Sequence, residues 1–101
     1  MEFRTGGHAM RMVITAQGFD LSDALRESVR SEIARFVQSA RRPINFISVQ
    51  LVDAHDQAVR GLEKLCRVRV QYDNDKAVED FDAESDFHYA VPEAFTKLMR
   101  T

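Results

Sequence analysis

Leu65 to Tyr72, LCRVRVQY, alternates without a break, and this alternation constrains the fold more than any other stretch. With a side-chain period of two, Cys66, Val68, Val70 and Tyr72 face one way and Leu65, Arg67, Arg69 and Gln71 the other. A strand divided in this way needs cover on its apolar face. Two earlier stretches share the period. Met12 to Gln17 sets Met12, Ile14 and Ala16 against Val13, Thr15 and Gln17, and Asn45 to Asp53 places Ile47, Val49 and Leu51 on one face. After the turn composition of Asp73 to Lys76, Ala77 to Glu84 reads as a fourth strand.

Two helical stretches supply the cover. Beyond Gly18, Leu25, Val29, Ile33, Phe36 and Val37 form one apolar stripe, with Asp20 or Ser22 as N-cap and Asp23 in the first turn. Pro43 closes this helix. Ser85 to Thr101 is amphipathic too, but contains Pro92, which has no N–H and crowds the carbonyl of His88. Either a turn leads into a helix whose first residue is Pro92, or a kinked helix runs through it. The order β-α-β-β-β-α gives a two-layer α+β domain: a four-stranded sheet with two helices on one face.

The last two strands predict a register. A four-residue loop over Asp73 to Lys76 puts Tyr72 beside Ala77, Val68 beside Phe81 and Cys66 beside Ala83 on the buried side. Arg69 then faces Asp80 and Arg67 faces Asp82 on the other side. The first helix is expected to pack Leu25, Val29, Ile33 and Phe36 onto Ile14, Val49, Val68 and Phe81.

At 101 residues the chain suits a single domain. A net charge of −2 argues against binding nucleic acid by bulk charge, and leaves room for a local basic patch. The lone Cys66 forms no intramolecular disulfide and fits a reducing, intracellular setting; mid-strand on the apolar face, it reads as a core thiol. No apolar run has membrane-spanning length, and MEFRTGGHAM is not a secretory signal. Gly6-Gly7-His8-Ala9 resembles a cloning remnant, so residues 1–11 are set apart from a single domain over 12–101. The scattered His8, His55 and His88 form no catalytic constellation, and Asp53, His55 and Asp56 are too few for a hard-metal site. No phosphate-cradling glycine loop is present. The sequence therefore predicts no enzyme, no cofactor, no metal, no small-molecule substrate and no membrane partner.

The basic residues carry what remains. At about 100° per residue, Arg26, Arg30 and Arg41 cluster at one margin of the apolar stripe, and Arg35 and Arg42 on the other side. Lys97 and Arg100 lie in the last turn of the second helix, where they also suit the helix dipole.

Met12 to Arg100 resembles the ribosome hibernation-promoting factor, or ribosome-associated inhibitor, family (sigma modulation proteins). The likeness lies in Ser22, Asp23, Ala24, Leu25, Arg26 and Val29 at the first helix. It recurs in Asp86, Phe87, Ala90, Val91, Lys97, Leu98 and Arg100 at the second. The resemblance implies a fold like that of double-stranded-RNA-binding domains, in a short form lacking the family's C-terminal dimerisation domain. It implies a cytoplasmic, non-catalytic stress factor that binds small-subunit ribosomal RNA and occludes the messenger and transfer RNA sites. Arg26, Arg35, Lys97 and Arg100 match the family's basic positions, and Arg30 joins them as RNA-binding candidates. The alternative is a diverged domain of the same fold that binds a protein and not RNA, which the acidic balance and Pro92 favour.

Overall fold

The computed structural model describes residues 2–5, 8–55, 60–73 and 75–100. Strand β2 (His8–Gln17) leads into helix α1 (Asp23–Ser39), strands β3 (Ile44–Asp53), β4 (Lys64–Tyr72) and β5 (Val78–Glu84), and helix α2 (Phe87–Met99). This is the expected β-α-β-β-β-α order. A short strand β1 (Glu2–Thr5) precedes it and pairs antiparallel with β2. The sheet order is β1-β2-β3-β4-β5. Among the described residues only β2 and β3 pair in parallel, joined by the crossover through α1. Both β1 and the start of β2 fall in the segment set apart as a remnant, and Met10 there is fully buried. Asp56 and Asn74 lie outside the described residues.

Local chemistry sets the helix ends. The Ser22 hydroxyl accepts from the Leu25 N–H at 3.1 Å, so Ser22 rather than Asp20 is the cap. The Asp86 carboxylate accepts from the His88 N–H at 2.9 Å and starts α2 five residues before the proline. The helix therefore runs through Pro92, and the reading with Pro92 as first helical residue is wrong. Pro92 falls within the second turn, so the one N–H it lacks leaves only the His88 carbonyl without its helical partner.

The core lies between the helices and the inner face of the sheet. Val29, Ile33 and Phe36 of α1 pack with Ile47, Val49 and Val68 of the sheet, while Leu25 and Ile14 are partly buried at its margin. Rings tie α2 to α1 and to the β2–α1 connection: Phe36 meets Phe95 at 5.8 Å, and Phe19 stacks on Phe87 at 4.9 Å. At the end of β2 the chain turns at Gly18 with φ +87°, where a Cβ would stand 2.5 Å from the Asp53 carbonyl oxygen. Only glycine fits that corner.

The expected β4–β5 register is wrong by one residue. Val68 pairs with Asp80, Cys66 with Asp82, Arg67 with Phe81, and the last pair is Val70 with Val78. Every β5 side chain is therefore on the face opposite to expectation. Phe81 points outward and is 53% exposed, whereas Asp82 points inward and is 6% exposed. A contact from outside the hairpin holds this register. Lys97 of α2 meets Asp82 at 2.6 Å and also donates to the Phe81 carbonyl at 3.3 Å. The loop is fixed in the same register. The Gln71 amide donates to the Asp75 carbonyl at 2.6 Å, and the Asp73 N–H donates to the Pro43 carbonyl at 3.2 Å. Arg67 and Arg69, expected on two separate aspartates, share the single carboxylate of Glu79 at 3.4 and 3.7 Å.

Candidate nucleic-acid interface

Helix α1 offers cations along its solvent side because its apolar stripe faces the sheet. Arg26 is half-buried beside β2, bordering a shallow depression with Met12, Val13 and Ile14. One turn on, the Arg30 guanidinium lies 3.8 Å from Glu27. Arg35 is 3.4 Å from Glu32, with its side chain 74% exposed. Pairs this exposed contribute well under about 1 kcal/mol and are readily exchanged for another anion.

Arg35 also borders a cleft of about 220 Å³ where α1 and α2 meet, over Phe36, Pro92, Phe95 and Met99. A second depression continues past Met99 to Arg41, Arg42 and Tyr72. Arg42 is held there by Asp75 and stacks over the Tyr72 ring at 4.0 Å. The Lys76 N–H, and with it the Arg42 guanidinium, holds the Asp75 carboxyl below the ordinary carboxylate value. The crossing of the helices thus sets Arg35 by one depression and Arg41 and Arg42 by the next, with Phe36, Ser39 and Met99 shared between them. Arg26 and Arg30 precede Arg35 on α1 and line neither depression. Sequence periodicity put Arg41 with Arg26 and Arg30. It missed this grouping because α1 ends at Ser39, so helical spacing does not place Arg41 and Arg42, and because the facing surface is α2.

The two basic residues at the end of α2 differ. Arg100 is exposed at the C-cap, its N–H donating to the Lys97 carbonyl at 3.2 Å. Lys97 serves as the cation of the buried Asp82, whose hydrogen bond raises the lysine's pKa. The Asp82 carboxyl is covered, its Oδ2 without a hydrogen-bond donor. Glu84, pushed up chiefly by a hydrogen bond with Asp82, completes an acidic group against α2. A phosphate reaching Lys97 must compete with Asp82.

Among the described residues no group of His, Cys, Asp and Glu could hold a metal ion. Cys66 is buried, and burial together with Asp82 pushes its thiol up to about 12. Among them too, no helix is long and apolar enough to cross a membrane.

Two solved structures share this fold over most of their length. A ribosomal subunit interface protein from Coxiella burnetii is 24% identical, with a TM-score of 0.73 over 90% of this chain and 91% of that one. The N-terminal domain of Protein Y from Thermus thermophilus is 18% identical, with a TM-score of 0.66 over 90% and 93%. No curated protein matches the sequence. Residues 12–101, the span that holds both helices, β3, β4, β5 and most of β2, match one family throughout, and the chain belongs to it: the Sigma 54 modulation protein / S30EA ribosomal protein family.

Proposed function

We propose that this protein is a translation inhibitor or stress factor that binds RNA of the small ribosomal subunit and occludes the messenger and transfer RNA sites. The observation that carries this reading is the family match over 12–101, which takes in both helices with their basic residues. The mechanism is binding without bond chemistry. Exposed guanidinium groups neutralise phosphates and release counterions, and the shape of the two-layer domain sets how it docks. Bulk then excludes competing ligands from the same channel.

Arg26, Arg35 and Arg100 are the proposed phosphate contacts, with Arg30 beside them. Lys97 joins only by leaving Asp82. Co-sedimentation with purified small subunits tests the reading. Arg35→Glu with Arg100→Glu is expected to weaken association at least tenfold and leave the melting temperature unchanged, since both side chains are exposed. With about three contacts, the slope of log K against log salt is expected to be roughly −2 to −3, from ~0.7–0.9 per phosphate.

A second reading, a protein-binding module without RNA binding, rests on the groove at Met99, which is 54% exposed beside Pro92 and Phe95. It takes precedence if association with small subunits is absent or indifferent to salt and to both charge reversals.

A further inference from the structure

The register that buries Asp82 also sorts charge between the two faces of the sheet. Asp80, Asp82 and Glu84 all take the helix side of β5, in phase with the buried Val68 and Cys66. On the outer face of β2 to β5, the described residues bring together three guanidinium groups, Arg11, Arg67 and Arg69, against the carboxylate of Glu79, with Glu2 of β1 the cross-strand partner of Arg11. In a chain of net charge −2, this open face is positive. Phe81 lies on it, directly across from Arg67 and diagonal to Arg69, with half of its surface in water. Val13 adds an exposed apolar surface on β2.

We infer that the outer face of the sheet is a binding surface for single-stranded RNA. The chemistry fits one occupant. Guanidinium groups attract an anionic backbone, and an aromatic ring standing free on a flat strand offers a stacking platform for an unpaired base. A duplex keeps its bases stacked inside and cannot use that ring. A second copy of this chain would bring positive charge onto positive charge. Glu79 bridges the two arginines in the free protein and orients both guanidinium groups toward one spot beside Phe81. This surface is on the opposite side of the sheet from the helices, so the inference stands independently of the small-subunit reading.

The test is fluorescence anisotropy with a labelled oligouridine of about 12 nucleotides, a length within common single-strand site sizes. The full chain is titrated at low salt. Wild type is expected to bind the oligonucleotide, and a duplex of equal length more weakly. Phe81→Ala and Phe81→Leu are each expected to weaken binding about tenfold, the second keeping an apolar side chain while removing the stacking ring. Arg67→Gln with Arg69→Gln is expected to flatten the salt slope by about 1.4, from ~0.7 per phosphate on a single strand. All three variants are expected to melt like wild type and to sediment with small subunits as it does. Absence of oligouridine binding by wild type overturns the proposal. So does equal binding by wild type and the Phe81 variants, or a duplex bound as tightly as the single strand. Oligouridine binding by a wild type that ignores small subunits would count against the ribosomal reading alone.

Discussion

Asp82 and Lys97 show how much one side chain can decide. A carboxylate with 6% of its surface exposed needs a cation, and Lys97 reaches it at 2.6 Å. Lys97→Ala leaves that carboxylate buried without its partner and is expected to cost about 1–3 kcal/mol in urea denaturation. The lower half of this range applies because the lysine side chain is 42% exposed. Glu84 gives a pH signature of definite sign. Its hydrogen bond with Asp82 and their mutual repulsion raise its pKa above the ordinary 4.5. A carboxyl whose folded pKa is raised contributes stability below its unfolded value and loses it as pH rises through the folded one. Glu84→Gln is therefore expected to match wild type near pH 4 and to exceed it increasingly toward pH 7, read as urea midpoints. A constant difference across that range would exclude the coupling. Phe36 and Phe81 make the third comparison: Phe36→Ala, at a residue 5% exposed, is expected to cost roughly 3–5 kcal/mol. Phe81→Ala, at 53% exposed, is expected to fall within about 0.5 kcal/mol of wild type, as for a surface substitution.

At the scale of elements, α1 was legible because its information is local. The stripe from Val29 to Val37 and the Ser22 cap lie within one segment, and all four of its buried residues fit the spacing. The β4–β5 register was not legible. The predicted register gave opposite-charge and apolar cross-strand pairs, whereas the observed one sets Val68 across from Asp80 and Cys66 from Asp82, and the contact that holds it comes from Lys97, fifteen residues beyond Asp82. Two predicted pairs of opposite charge outweighed an interaction that no hairpin contains. The site divides in the same way. The basic positions on α1 could be read from the chain, but the gathering of Arg35, Arg41 and Arg42 around Met99 depends on how the helices cross. Pro92 belongs to this scale. The helix tolerates it because Asp86 has already started the turn, and Thr96 donates to the Pro92 carbonyl at 2.9 Å. Pro92→Ala restores an N–H for the His88 carbonyl and is expected to stabilise the protein by about 1–3 kcal/mol. An unchanged urea midpoint would mean that the helix is deformed around the ring.

For the whole molecule, Cys66 reports on the integrity of the fold. It sits at the centre of the sheet with no exposed surface, its thiol held protonated at neutral pH by burial and by Asp82. Labelling by a thiol reagent is expected to proceed only as fast as the domain opens, and to accelerate with urea in parallel with global unfolding. Fast labelling in native buffer would reveal a local opening of β4. The parallel ladder between β2 and β3 has a consequence in time. Val70 and Val78 meet across eight positions, but Ile14 must find Val49, thirty-five positions along the chain. Closing that longer loop costs more entropy before any contact repays it. Strands β3 to β5 are therefore expected to form first as a meander, with the β2–β3 ladder closing after them. For a chain emerging from its N-terminus during synthesis, the β1–β2 pair has no further strand to join until β3 follows it. Its methionines Met10 and Met12, buried in the finished fold, stay without the rest of their core until the later strands and α2 are made.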